Sequence, residues 1–149
     1  MSTHALIRLF TALNQASDGS LLEPALREPL LVALGAIPGA LSRYYLTVQA
    51  TQWFGTTFPY GTLIINLTGA GFIGFLATVI EQLRFSLDWQ YLLIIGFLGS
   101  YTTFSTYALD TANLLRIGSR KRALLYWAGS PILGFICVEI GILLARKLL

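Results

Sequence analysis

One stretch of this chain combines hydroxyl groups, aromatic rings and a helix-weakening glycine within a hydrophobic segment: Gly99-Ser100-Tyr101-Thr102-Thr103-Phe104-Ser105-Thr106-Tyr107. Water is absent at the depth of a membrane span, so each hydroxyl or loosened backbone group there needs a partner in the protein or a bound ion. Polar groups at such depth mark routes or sites for ions and substrates. Gly96 and Gly99 weaken the helix, and the β-branched Thr102, Thr103 and Thr106 weaken it further. A helix opening near Thr102 would release carbonyl oxygens that can hold a cation. Phe104 and Tyr107, three residues apart, share a helical face, and the electropositive edge of a ring can face an anion. The chemistry implied is ion coordination.

Other polar residues sit in comparable surroundings. Asn66 carries two donors and one acceptor among apolar neighbours, and serves either as an interhelical hydrogen bond or as a donor facing a pore. Arg43 lies about two-thirds of the way along its segment, where it either snorkels to the interface beside Tyr44 and Tyr45 or lines an aqueous vestibule that attracts anions. Its expected counter-charge within the subunit is Asp110, because Glu139 would reach it only from an inverted partner. Tyr126 and Ser130, four apart, share a face and form a ladder of hydroxyl donors, with Pro131 next to them. Cys137 is the only cysteine and reads as small apolar packing, which excludes a disulfide framework. His4 is the only histidine and lies away from every span, so no span offers a nucleophile beside a base and an enzyme is not expected.

The elements that must carry these residues follow from composition. Of 149 residues, 55% are hydrophobic and 11% charged, and the mean hydropathy is +0.68. Soluble domains carry about 25% charged residues, so this is a membrane composition. A crossing helix needs about 20 mostly apolar residues. Four stretches qualify, at about 30–49, 61–80, 89–109 and 123–145, and their short connections predict one compact all-α four-helix unit. Small residues (Gly35, Ala36, Gly39 and Ala40 in the first span, Gly69, Gly71 and Gly74 in the second) predict close helix approach. Residues 1–28 form a separate tail, disordered or lying on the membrane surface, and 29–149 the transmembrane domain.

Basic residues set orientation by collecting on the cytoplasmic side. With both termini on one side, Arg8, Arg27, Arg84, Arg146 and Lys147 face Arg116, Arg120, Lys121 and Arg122 on the other, five against four. So even a balance predicts dual topology, with copies inserted both ways and paired as an antiparallel homodimer in lipid.

In order and spacing, three motifs resemble those of the Fluc (CrcB) fluoride channels. They are Gly35-Ala36 followed by Arg43; Gly61-Thr62-Leu63 with Asn66 and Gly69; and Gly96-Phe97-x-Gly99-x-x-Thr102-Thr103-Phe104-Ser105-Thr106. The resemblance runs from about residue 30 to 147. It implies a third helix broken near its middle and two pores per antiparallel dimer, with a structural sodium ion between the copies, held by the carbonyls of Gly99 and Thr102. By position it implies an ion pathway of Asn66, Phe104, Ser105, Thr106, Tyr107, Tyr126 and Ser130, with Arg43 near the vestibule. Tyr107 stands where the family most often has phenylalanine. The expected function is passive fluoride export across a bacterial inner membrane, conferring fluoride resistance, with no nucleic-acid partner. The rivals are a small multidrug-type antiporter, which needs a membrane carboxylate that the first span lacks, and a non-conducting subunit of a heterodimeric channel.

Overall fold

The computed structural model describes residues 22–149, so residues 1–21 of the expected tail lie outside the described residues. Helix α1 runs Leu22–Phe54, α2 Tyr60–Gln82, α4 Phe104–Arg116 and α5 Arg120–Leu148. Between α2 and α4, α3 occupies 87–101 and changes winding along its length. Leu87–Trp89 and Gly99–Tyr101 are α-helical, and Gln90–Leu98 is π-helical. Residues 22–28, grouped with the tail on sequence, are the first turns of α1. Among the described residues, four segments are long and apolar enough to cross a membrane: Ala25–Phe54, Tyr60–Gln82, Leu87–Arg116 and Arg120–Leu148. The described residues are thus all-helical, and the protein is a multi-pass membrane protein.

Local chemistry sets the helix ends. Gly55 stops α1 at φ +72°, its amide returning to the Thr51 carbonyl at 2.9 Å, and Pro59 immediately precedes α2. At the end of α4 the amide of Ser119 reaches Leu114 and that of Gly118 reaches Leu115, both at 3.0 Å. Gly118 takes the left-handed conformation (φ +78°) that this paired cap requires. Arg84 occupies the equivalent position after α2, at φ +52°, a rarer place for a side chain.

Two helix pairs make the bundle: α1 against α3, and α2 against α5. Backbone contact at glycine holds each together. A methyl group on Gly35 would strike the Leu92 carbonyl, and one on Gly96 would strike the Val32 carbonyl. In the second pair, a methyl on Gly74 would meet the Val138 carbonyl and one on Gly141 the Gly71 carbonyl. Lipid is as apolar as leucine, so such close packing, rather than escape from water, joins membrane helices. The outer faces, among them Leu34, Ile37, Leu41, Leu124 and Leu125, are more than half exposed. The enclosed core is small: Ile65, Leu98 and Tyr101 in one cluster, Leu114, Ala123 and Tyr126 in another.

Overpacking a close-packed contact costs about 1–3 kcal/mol. Gly141→Val is therefore expected to lower the thermal midpoint of the detergent-solubilised protein clearly. Gly129→Ala, where an added methyl meets nothing within 4 Å, should leave it nearly unchanged. Equal behaviour of the two variants would show that glycine contact does not hold α2 to α5.

Candidate functional site

The third span changes character at two residues. Thr102 (φ −77°, ψ 159°) and Thr103 (φ −152°, ψ 116°) are extended, between the α-helical turn Gly99–Tyr101 and α4. Two extended residues inside a span leave main-chain groups without helical partners, and hydrocarbon offers none. Asn66 of α2 supplies them. Its Nδ2 donates to the Thr103 carbonyl at 3.0 Å, and its Oδ1 accepts from the Thr103 amide at 2.8 Å. Of the two readings left open for Asn66, the interhelical hydrogen bond is present, in a two-way form that leaves one Nδ2 hydrogen free. Gly69 lets α2 come close enough, since a methyl there would collide with the Thr102 side chain.

Thr103 then starts the next helix. Its hydroxyl accepts from the Thr106 amide at 3.2 Å, a side-chain N-cap, and donates to the Thr106 hydroxyl at 3.0 Å. Ser105 is exposed, its hydroxyl 3.3 Å from that of Thr103. The three hydroxyls form one cluster at the head of α4. Ser100 ties the turn before the interruption to α1, donating to the Ala36 carbonyl at 3.0 Å.

The released carbonyls bear on cation binding. The Thr103 amide is turned to Asn66, so the Gly99 carbonyl loses the donor it would have in a helix. The Thr102 carbonyl receives only a long contact, 3.4 Å from Arg43 Nη1. Two carbonyl oxygens outside helical bonding are the hard donors that a sodium ion requires, and both residues fit that ion in chemical type. Among the described residues no cluster of His, Cys, Asp and Glu forms an alternative metal site.

Arg43 and Asp110 do not pair, contrary to the sequence expectation. Arg43 sits level with Thr102, whereas Asp110 lies about two turns along α4, near the end of the span. The Asp110 carboxylate instead accepts from the Thr62 hydroxyl at 2.7 Å. That pair faces a cleft of about 380 Å³, shared with Thr47, Thr51, Thr106 and Asn113. The one ion pair among the described residues joins Arg27 to Asp88 at the opposite end of the bundle, at 2.5 Å.

A second groove, of about 480 Å³, runs beside the interruption and brings together Asn66, Thr103, Phe104, Tyr107 and Ser130. Phe104 is 80% exposed, the highest value among the large apolar side chains described. Its ring lies 5.6 Å from that of Tyr107, which lies 5.3 Å from that of Tyr126. The Tyr126 hydroxyl and Ser130 Oγ are both sealed from solvent without a hydrogen-bond partner. Donors held dry and unpaired at this depth are unusual, because each costs about 1–3 kcal/mol. The structure thus brings Asn66, Phe104, Tyr107 and Ser130 to one groove, with Tyr126 against it. Thr106 faces the neighbouring cleft, and Arg43 approaches from α1.

Three roles are not plainly legible in the sequence. Thr62 stands there only within a motif, and the fold alone sets its hydroxyl against Asp110. Thr103 has the spacing of an N-cap, a hydroxyl three residues before Thr106. Trp127 engages Tyr107 through its carbonyl, and the signal was Pro131, four residues further on.

The chain matches the CrcB-like protein family, also described as Camphor Resistance (CrcB), over residues 30–142, which takes in the interruption, both clefts and most of every span. It is 54% identical over 128 residues to the fluoride-specific ion channel FluC of Trichormus variabilis, covering 85% of this chain and 93% of that protein. FluC of a Synechococcus species is 51% identical over 127 residues, covering 85% and 98%. FluC of a Synechocystis species is 48% identical over 125 residues, covering 83% and 96%. With its spans, glycine contacts and Asn66-to-Thr103 pairing inside the matched region, this chain belongs to the CrcB-like family.

Proposed function

We propose that this chain is a subunit of a passive, fluoride-selective channel that exports fluoride across a bacterial inner membrane. One observation carries the reading: neutral donors gather in a single groove beside the extended Thr102 and Thr103, in a chain about half identical to proteins named fluoride-specific ion channels. Fluoride is small and strongly hydrated, so a selective pore must replace its water with close donors while a narrow bore refuses larger anions. The free Nδ2 hydrogen of Asn66, the Ser130 hydroxyl and the ring edge of Phe104 are donors of that kind, and Tyr126, packed behind Tyr107, would continue the track beyond the groove. Ser105 and Thr106 extend the hydroxyl track, and Tyr107 packs beside it. Fixed charge in the bore would trap the ion, whereas weak donors in series let it leave. Arg43, just outside, supports an attractive potential at the approach.

The groove is open along one side in a single subunit, and the bare ring of Phe104 projects there. An inverted second copy would complete it, consistent with the balanced charge of the two ends. In that antiparallel homodimer the third span works as a broken helix, and the Gly99 and Thr102 carbonyls of each copy hold a structural sodium ion. The ion would supply positive potential near the groove. Export then needs no energy source: hydrogen fluoride enters neutral, dissociates inside, and the anion leaves down its electrical gradient. The antiporter alternative finds no support, since Asp110 is engaged by Thr62 near a span end and Glu139 lies on an exposed face.

Liposomes holding the purified protein are expected to release fluoride and retain chloride, read with ion-selective electrodes. No fluoride release from well-folded protein would sink the reading. Asn66→Leu strands two main-chain groups at about 1–3 kcal/mol each, and is expected to cut fluoride efflux by about two orders of magnitude. Phe104→Ala, measured the same way, should pass fluoride more slowly or lose its rejection of chloride. A single cysteine at Ser119, placed in a Cys137→Ser background, should react with an impermeant maleimide to about half from each face of sealed vesicles. Labelling from one face alone would exclude dual topology.

A further inference from the structure

Helix α5 carries a proline in its interior. Pro131 has no amide hydrogen, so the carbonyl one turn earlier, that of Trp127, lacks the donor that helix-interior carbonyls receive. Within a membrane such an oxygen needs another partner. Tyr107 provides one from α4, its hydroxyl donating to the Trp127 carbonyl at 2.6 Å. Tyr107, Trp127 and Pro131 all line the groove that contains Asn66, Phe104 and Ser130.

The bond has two effects. A phenol carries a single hydrogen, so with that hydrogen directed to Trp127 the group has no proton to offer an anion. The ring is also held at its far end, which fixes it between Phe104 and Tyr126. A bare carbonyl oxygen among these lining residues would present partial negative charge to any anion in the groove.

We propose that Tyr107 is a positioning residue of the conduction path, paired with Pro131. By capping the carbonyl that the proline leaves without a donor, it removes an anion-repelling oxygen and sets its own ring in the groove. The proposal rests on the channel reading above, and it makes the two residues interdependent. With phenylalanine at 107 the carbonyl is bare. With phenylalanine at 107 and alanine at 131, the alanine amide restores the helical bond.

The test compares the parent protein, Tyr107→Phe and the double variant Tyr107→Phe/Pro131→Ala. Each is reconstituted and assayed for fluoride efflux per folded protein, and each is melted in detergent. Tyr107→Phe is expected to slow efflux about five- to tenfold, the equivalent of one strong membrane hydrogen bond. The double variant should return to within about twofold of the parent. A ring that merely fills space would not be rescued by an amide hydrogen on the neighbouring helix. Unchanged efflux in Tyr107→Phe, or a double variant as slow as the single, overturns the proposal. If the parent itself passes no fluoride, the channel reading fails separately. The thermal midpoints then judge the cap: a loss in Tyr107→Phe that Pro131→Ala recovers supports it, and no recovery overturns it.

Discussion

The pairing of Asn66 with the main chain of Thr103 is the interaction on which the rest of the site depends. A membrane span tolerates extended backbone only if its polar groups find partners within the protein. One amide side chain meets both needs of Thr103, offering a donor and an acceptor at 3.0 and 2.8 Å. With its main chain engaged, Thr103 is free to use its hydroxyl as the N-cap of α4. The same bond draws the Thr103 amide away from Gly99, so a carbonyl is released on the other side of the interruption. Thr103, Gly99 and Asn66 are thus consequences of one geometry.

That geometry requires close helices, and the glycine contacts provide them. The α1–α3 pair meets at Gly35 and Gly96, the α2–α5 pair at Gly74 and Gly141, and Gly69 brings the two pairs together beside Thr102. The π-helical stretch Gln90–Leu98 carries the first of these contacts, with the Leu92 carbonyl against Gly35 and Gly96 against the Val32 carbonyl. Two stiff pairs flank an interrupted segment, so the irregular residues are held by regular ones.

Much of this was legible in the amino-acid sequence, and what was not has physical causes. Four apolar stretches and the small-residue faces were plain because periodicity and side-chain size act locally. The hydroxyl-rich run stood out because its residues oppose a helix in lipid. The partner of Asn66 could not be read, since an amide bonds whatever the fold brings near it. Arg43 was matched to Asp110 by sign and approximate depth, but Thr62 was nearer to the carboxylate and Arg43 faced Thr102. The π winding was not legible because nothing in the apolar run Gln90–Leu98 distinguishes it from an α-helix. The start of α1 at Leu22 was missed because its first turns lack the apolar density of a span.

Phe104, 80% exposed in a single subunit, has a consequence for how the protein would assemble. In water a bare ring would itself drive association, but hydrocarbon solvates a phenyl group about as well as another protein does. The exposed ring therefore puts a lone subunit under no hydrophobic pressure to pair. The proposed inverted pair must gain its affinity from shape and polar matching, in competition with lipid that solvates the same surface. Pairing then follows the density of subunits in the plane of the membrane, and of those inserted the opposite way. The amount of competent protein in a cell would rise more steeply than expression while subunits are sparse, and insertion statistics would become part of its physiology.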